Sequence, residues 1–250
     1  MSGVKCCWAS IPEDAIEWWE NDFIPARTKN AIYSLHCEFT ENGMDEDPVG
    51  RLDAPWPHMT IYETADVNTA TKTTYDKSHH PSDDMLAGPL KDARFDIRTY
   101  RELMKWQAEG WATECVGDDI EDIASVAVME WRATSSKEAE IYAYFSSVVG
   151  PRISASPDVL RFRIFTIDNA TVLHGGEYRT KEKDELYKYF TLVELESEQW
   201  PWDVVVELAQ DERWQAYFEA HKDTDWRLSH YLVKRAYRGA SLAAAGGSGE

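Results

Sequence analysis

The sequence is short of the features that mark several large classes of protein. Its 250 residues include four cysteines, and none of these lies in a CxxC pair or at the spacing of a Cys/His metal site. It has no apolar run near the roughly 18 residues of a membrane helix, and its start, MSGVKCCWAS, lacks the apolar stretch of a signal peptide. These absences predict a cytoplasmic protein with free, buried thiols and no membrane span.

Positive charge is also scarce. The 26 Lys and Arg residues are outnumbered by 45 Asp and Glu residues, which gives a formal net charge of −19 and a pI near 4.7. A surface of that sign repels phosphate groups. We therefore expect neither nucleic acid nor an anionic membrane as a partner.

Aromatic residues, in contrast, are abundant, with 11 Trp and 12 Tyr. Side chains of this kind either fill a core or line an apolar pocket. The sequence contains no glycine-rich phosphate loop and no Ser/His/Asp signature. Nucleotide binding and triad hydrolysis are therefore not predicted, and most of the aromatic residues are expected to fill the core.

The sequence repeats itself at an offset of 131 residues. HMTIYETAD (58–66) falls on YFTLVELES (189–197), so that Glu63 corresponds to Glu194. Each half also has the order strand, helix, strand, strand, helix, strand, which is the ferredoxin-like unit. Such a unit carries helices on one face of its sheet, so two units can bury their open faces against each other. We predict an α+β fold made of tandem ferredoxin-like repeats.

The repeats are predicted at 1–106 and 124–238, with a linker at 107–123 and a disordered tail at 239–250. The second helix of the second repeat is strongly amphipathic. Its first-repeat counterpart is Thr-rich, polar and broken by Pro81. Because a helix that no longer covers its sheet leaves an opening, we expect a small-molecule cavity in the first repeat.

Local signals place the first helix of each repeat. Ser10 with Glu13, and Ser135 with Glu138, have the spacing of a capping box. Pro25 predicts the end of the first helix. Each repeat is therefore expected to enter its first helix through the same side-chain cap.

The segment SHHPSDD, residues 78–84, contains four side chains that could bind a metal ion. Adjacent histidines seldom point at one ion, and no HExxH-like spacing accompanies them. We expect a solvated loop or lid at this position, and no metal site.

Residues 18–27, WWENDFIPAR, resemble a segment of EthD-like members of the dimeric α/β-barrel superfamily. The family pattern is two aromatics, two variable residues, an acid, a histidine, then proline and arginine, each after one variable residue. The chain matches this pattern except at Phe23, which takes the place of the histidine. SSVVGPRISASPDVLRFRIF, residues 146–165, resembles the family's passage from first helix to second strand.

The resemblance implies a fungal-type chain whose two repeats form an intramolecular dimeric α/β-barrel, with a ligand cavity near the sheet and first helix. The superfamily includes cofactor-free monooxygenases, polyketide cyclases, isomerases, lyases and some haem enzymes. We expect a cofactor-independent lyase or isomerase of the cyclase type, acting on a hydrophobic polyketide-like or aromatic substrate in secondary or catabolic metabolism. The protein is expected to be a monomer or a homodimer. A non-catalytic small-molecule-binding or stress-associated barrel is the alternative that Phe23 favours, and a haem enzyme is a third.

Cofactor-free chemistry of this kind needs a group that titrates near neutrality and a donor for a developing enolate oxygen. His36 is the candidate acid and base, on a strand face that it shares with Glu38, whose carboxylate could orient the ring. The alternative is an ion-pair network of His36 with Arg161 and Arg163.

Tyr62 is the candidate oxyanion donor, because Val193 has no hydroxyl at the equivalent position of the other repeat. His58 follows APWP and is the third catalytic candidate, at a cavity rim, or else an exposed loop residue. His230 lies on an apolar strand face and is interpreted as a core histidine, a cavity histidine or a haem ligand. The expected substrate-binding residues are Trp8, Trp18, Trp19, Phe23, Glu38, Tyr100 and His230.

Overall fold

The structure, a computed structural model, describes residues 1–40, 56–109, 111, 119–174, 176–219 and 222–239. The strands in these residues are β1 (Gly3–Ser10), β2 (Tyr33–Phe39), β3 (His58–Thr64), β4 (Arg94–Gln107), β5 (Ser125–Ala133), β6 (Val159–His174), β7 (Glu177–Thr180), β8 (Tyr189–Leu195) and β9 (Thr224–Arg238). The longer helical segments are α1 (13–28), α2 (Val67–Thr73), α3 (Asp83–Ala87), α4 (138–154), α5 (Trp202–Ala209) and α6 (212–219).

Eight of the strands form a closed antiparallel barrel. Their order is β4-β1-β3-β2-β9-β5-β8-β6, and pairing of β4 with β6 closes the ring, while β7 extends the sheet beside β6. The first four strands in this order come from the first repeat and the last four from the second. The predicted fold class is therefore confirmed, since the two repeats share one barrel whose helices lie outside.

The first helix of each repeat has the same irregularity. In α1 a π-helical turn, Trp19–Phe23, precedes Pro25, and in α4 the turn Phe145–Val149 precedes Pro151. Proline has no N–H to donate to the carbonyl four residues earlier, and its ring crowds that carbonyl. Wider π turns accommodate this locally. The shared irregularity gives a helix-to-helix alignment of the two repeats.

Two details of the helix prediction are wrong. Neither α1 nor α4 has a side-chain cap, because Pro12 and Lys137 occupy the N-cap positions that the capping boxes would have supplied. Pro25 does not end α1, which continues through Thr28. Proline is tolerated there because it lies in the first turn after the π-helical stretch, where its missing N–H costs little.

The last strand of the first repeat and the second strand of the second repeat form the longest pair in the sheet. β4 continues to Gln107 and β6 to His174, and the pair adds a long ladder in which Arg94 lies opposite His174. The predicted linker at 107–123 contains the buried residues Trp111, Ile120 and Ile123, while residues 110 and 112–118 lie outside the described residues. Residues 240–250 of the predicted tail lie outside them as well.

The barrel interior combines an apolar cluster with a buried ionic network. Arg163 donates to both carboxylate oxygens of Glu63 at 2.9 and 2.8 Å, and Arg161 donates to Glu194 at 2.7 Å. Arg161 also donates to the hydroxyl of Tyr33, which lies between the two carboxylates. Since these side chains are at most 5% exposed, the network is shielded from solvent.

Two further clusters lie between the outer face of the barrel and the helices. One packs α1 and α3 on the first repeat, and the other packs α4, α5 and α6 on the second. Cys7 is a buried free thiol in the first of these clusters and Cys6 and Cys37 are buried free thiols inside the barrel, as predicted, while Cys115 lies outside the described residues.

The second helical region differs between the repeats as the sequence predicts. In the second repeat α5 and α6 bury Val205, Leu208 and Trp214 against the sheet. In the first repeat the equivalent region is divided into α2, a single turn at Lys77–His79, and α3, and α2 buries Val67 alone. The first repeat is consequently covered by a less apolar layer.

Among the described residues, none of the helices has both the length and the apolar character needed to cross a bilayer.

Candidate functional site

Each repeat has a cavity between the outer face of its sheet and its helices. The first-repeat cavity consists of two adjoining spaces of about 30 and 40 Å³ that share Lys5, Arg27, Tyr62 and Thr73 as walls. The second-repeat cavity has a volume of about 60 Å³ and lies between β5, β8 and β9 on one side and α4 and α5 on the other. The expected opening beneath the Thr-rich segment is present, but the larger single space is beneath the well-formed α5.

The two cavities are equivalent by the register of the strands. Lys5 pairs with Tyr62 between β1 and β3, as Ala127 pairs with Val193 between β5 and β8. Along the same strands Cys7 corresponds to Met129 and Ile97 to Leu228. The aligned helices add Phe23 with Val149 and Arg27 with Ile153. All of these residues line their cavities, so the two repeats contain equivalent cavities.

The duplicated cavity has opposite chemistry in the two repeats. At four equivalent positions the first repeat has Lys5, Cys7, Arg27 and Tyr62, where the second has Ala127, Met129, Ile153 and Val193. Burying polar and charged groups is unfavourable unless they are paired. The fold packs with apolar side chains at these positions in the second repeat. The polar side chains of the first repeat are therefore not needed for packing.

Lys5 is the member of this set whose pKa lies nearest to neutrality. Its Nζ lies 4.9 Å from the centre of the Tyr62 ring and donates to the Thr73 hydroxyl at 3.4 Å. Burial lowers the pKa of Lys5 from its usual 10.5 to about 8, and the charge of Arg27 also lowers it. An amine with this pKa is a competent general base and a competent acid near neutral pH.

Arg27 is held by neutral partners. Its Nε donates to the carbonyl of His79 at 3.0 Å and its Nη2 to the carbonyl of His80 at 3.4 Å, while its guanidinium lies 4.6 Å from the ring centre of Phe23. Burial lowers the pKa of Arg27. Arg27 thereby fastens the turn 77–80 over the cavity and keeps its full positive charge.

Tyr62 and Cys7 complete the polar wall in protonated form. Burial raises the pKa of the Tyr62 hydroxyl well above its usual value and raises that of the Cys7 thiol to about 12. Tyr62 is therefore a hydrogen-bond donor at neutral pH. Cys7 is not a thiolate nucleophile, because nucleophilic cysteines need a lowered pKa.

His36 and His58 lie together on the same outer face, but neither lines either cavity. Their ring centres are 5.5 Å apart, and Nδ1 of His36 is 3.4 Å from the Glu20 carboxylate. Glu38 is paired with Lys234 at 2.6 Å. Burial lowers the pKa of His36 to about 4 and also lowers the pKa of His58. Since both rings are neutral at physiological pH, His36 is a weak base.

The alternative considered for His36, an ion-pair network with Arg161 and Arg163, does not form. His36 points outward toward α1, whereas both arginines point into the barrel, where they bind Glu63 and Glu194. The wall of the sheet therefore separates His36 from the arginines.

The remaining predicted site residues are divided among three places. Trp18, Trp19 and Phe23 form an aromatic group in α1, with Trp19 stacked on Phe23 at 4.8 Å. Trp8 and Tyr100 are inside the barrel, and their ring centres are 6.5 Å apart. His230 is on the second repeat beside Trp200, at 5.5 Å, and burial lowers its pKa to about 4. The structure therefore brings Tyr62 and Phe23 together at the first-repeat cavity and leaves the others elsewhere.

His79 and His80 contribute to the cavity wall through the turn that Arg27 holds. In the part of the chain that the structure describes, no group of three or more His, Cys, Asp or Glu side chains is arranged to hold a metal ion.

Sequence reasoning missed Lys5 and the role of Arg27. A signal for Lys5 was present, since it is a lone charge in the strand GVKCCWAS at the same phase as Cys7. Aligning β1 with β5 would have shown that Lys5 is equivalent to Ala127 in the second repeat. Arg27 was visible as the last residue of WWENDFIPAR, but only the helix geometry directs it to the cavity.

The fold has counterparts among solved structures. An anthrone oxidase-like protein has a TM-score of 0.55 at 8% identity, over 96% of this chain and 94% of its own. A putative monooxygenase from Lactobacillus acidophilus has a TM-score of 0.51 at 10% identity, over 95% and 96%. A putative monooxygenase from Fusobacterium nucleatum has a TM-score of 0.52 at 6% identity, over 95% and 94%. No protein-family model and no curated protein matches the sequence.

At these identities the likeness is one of fold. The chain has the dimeric α/β-barrel fold with both halves in a single polypeptide. Its two helix-covered cavities, one polar and one apolar, distinguish the repeats from each other.

Proposed function

We propose that the chain is an EthD-like enzyme that acts without a cofactor on a hydrophobic aromatic or polyketide-like small molecule, with the first-repeat cavity as its reaction site. The observation that carries the proposal is the replacement of four apolar wall positions by Lys5, Cys7, Arg27 and Tyr62 in one of two otherwise equivalent cavities. Perturbed ionisable groups in a cleft are characteristic of reaction sites. The name of one structural neighbour, an anthrone oxidase-like protein, agrees with a small aromatic substrate.

The proposed chemistry is proton transfer at a carbon next to a carbonyl group. With its pKa at about 8, the amine of Lys5 is neutral in about a tenth of the molecules at pH 7. The neutral amine removes the proton, and the C–H electron pair forms the enolate double bond. The hydroxyl of Tyr62 donates to the resulting oxyanion, and the charge of Arg27 stabilises it further. Return of the proton to another atom gives isomerisation, and attack of the enolate carbon on a second carbonyl gives cyclisation.

Substrate binding requires movement of the turn above the cavity. Spaces of about 30 and 40 Å³ hold a few water molecules and not a fused aromatic ring system. The turn 77–80 is held to α1 by the hydrogen bonds of Arg27, and His80 stacks on Tyr178 at 4.0 Å. Outward movement of this turn would enlarge the cavity without disturbing the barrel.

The test is hydrogen exchange in D₂O at neutral pD with anthrone, followed by NMR of its methylene protons. We expect the protein to accelerate exchange, and Lys5→Met and Tyr62→Phe each to reduce the acceleration about 100-fold. Val193→Ala, which changes the second-repeat position equivalent to Tyr62, is the matched control and should retain the activity. Exchange that is no faster with the protein, or equally fast with Lys5→Met, would contradict the proposal.

A non-catalytic binding protein is the second candidate, and the second-repeat cavity favours it. Its walls are apolar except for Thr191 and the indole groups, and the buried N–H groups of Trp200 and Trp214 have no hydrogen-bond partner among the described residues. An apolar molecule with an acceptor oxygen would satisfy them. Saturable binding of anthrone with no exchange in any variant would support this candidate over the enzyme.

A further inference from the structure

The charged groups of the first-repeat cavity all have the same sign. Lys5 and Arg27 line it, and no aspartate or glutamate is found among its described lining residues. Neither cation forms an ion pair with any carboxylate in the part of the chain that the structure describes. This is unexpected in a chain with 45 acidic and 26 basic residues.

Buried cations elsewhere in the structure are neutralised. Inside the barrel, Arg161 and Arg163 face Glu194 and Glu63. Arg98 donates to Asp96 at 2.8 Å. Because removing a charge from water is costly without an opposite charge nearby, such pairing is the rule in protein interiors. Among the described residues the first-repeat cavity is the exception, since the carboxylate of Asp76 acts on Arg27 only at a distance and forms no ion pair with it.

We propose that Arg27 binds the carboxylate of an aromatic acid in the first-repeat cavity, so that the substrate of the proposed enzyme is an anion and the amine of Lys5 stays free to act as its base. That the ligand is a substrate rests on the proposed function, whereas the anion-binding site is argued from the geometry of the cavity alone.

Arg27 is already in the cavity wall for such a ligand, and Lys5 lines the same cavity. The guanidinium of Arg27 is fixed by two backbone carbonyls and by Phe23, and none of these contacts neutralises it. The amine of Lys5 is held by Thr73 and the ring of Tyr62. Charge-assisted hydrogen bonds from such donors to a carboxylate are among the strongest in proteins. Outward movement of the turn 77–80 would release the N–H groups that Arg27 donates to its carbonyls, so that they can donate to the ligand carboxylate instead.

The aromatic part of the ligand follows from the other walls. Phe23 and Tyr62 line the cavity, and Phe23 continues into the stack with Trp18 and Trp19. A fused ring system between these side chains would bury apolar surface while its carboxylate faces the cations. A free inorganic anion would leave the aromatic walls unused.

The test compares 2-naphthoate with 2-naphthamide, a neutral molecule of the same shape, by isothermal titration calorimetry at pH 7. We expect naphthoate to bind at least tenfold more tightly to the wild-type protein. Arg27→Gln should abolish this preference, and Arg27→Lys, which keeps the charge, should retain most of it. The matched control is Arg152→Gln, because this arginine of α4 is already paired with Asp211 at 3.4 Å.

Equal affinity for the two probes, no binding of naphthoate at millimolar concentration, or an undiminished preference in Arg27→Gln would overturn the proposal. These results are separate from the exchange assay, which uses a neutral ketone. Anthrone exchange without a naphthoate preference would remove the anion site and leave the enzyme, whereas the preference without exchange would remove the enzyme and leave the anion site.

Discussion

Replacing Arg161 by methionine is expected to lower the free energy of unfolding by about 3 to 5 kcal/mol. Arg161 is fully buried and is a direct partner of Glu194, Glu63 and Tyr33. Without it, two buried carboxylates share the single charge of Arg163. An uncompensated charge in the barrel interior costs far more than the packing that methionine restores.

Urea denaturation followed by tryptophan fluorescence measures this loss, and a second variant identifies its cause. Arg161→Met with Glu194→Gln removes one charge of each sign, so the double variant should be less destabilised than the sum of the two single variants. Arg132→Met is the control, because its ion pair with Asp225 at 3.0 Å is about half exposed and should contribute less than about 1 kcal/mol. Additive effects of the two buried substitutions would contradict the account of the network.

Replacing Lys5 by methionine is expected to have the opposite effect and to stabilise the protein at pH 7. Folding lowers the pKa of Lys5 from 10.5 to about 8, so the folded state binds the proton less well than the unfolded state does. Each unit of that shift corresponds to about 1.4 kcal/mol. After allowance for the partial exposure of the side chain, the stabilisation should be about 2 kcal/mol.

The sign of this effect fixes its pH dependence. Below pH 8 Lys5 is protonated in both states, and the penalty for holding the charge in the cavity is complete. Between pH 8 and 10.5 the folded state loses its proton first, so the advantage of Lys5→Met should decrease, and above pH 10.5 it should vanish.

The measurement is the free energy of unfolding of the wild-type protein and Lys5→Met at several pH values. Lys91→Met, at an exposed lysine, is the control and should change stability by less than about 0.5 kcal/mol. A variant less stable than wild type at pH 7 would contradict the account. Stabilisation on removal of a cavity residue would indicate a group retained for function at the expense of stability.

The fold could be predicted because its signals are periodic and repeated. Alternation along the second strand placed His36 and Glu38 on one face of the sheet, and the structure agrees. The offset that equates Glu63 with Glu194 was sufficient to predict two facing sheets. These inferences need only the alternation of side chains between the two faces of a strand and the requirement that the open face of each sheet be buried.

The site could not be predicted to the same degree because it combines side chains from separate elements. Lys5, Arg27 and Tyr62 come from β1, α1 and β3, and their proximity depends on strand register and on the π turn before Pro25. Alternation gives the face of each residue and not its neighbours across the sheet. His36 is the clearest case, since its face was predicted and its distance from the cavity was not.

A crystal structure of the protein grown with 2-naphthoate tests the central claim most directly. We expect ligand density between α1 and the sheet in the first repeat, with the carboxylate at Arg27 and the turn 77–80 displaced outward. Density confined to the second-repeat cavity, beside Trp200 and Trp214, would contradict the assignment of the reaction site to the first repeat.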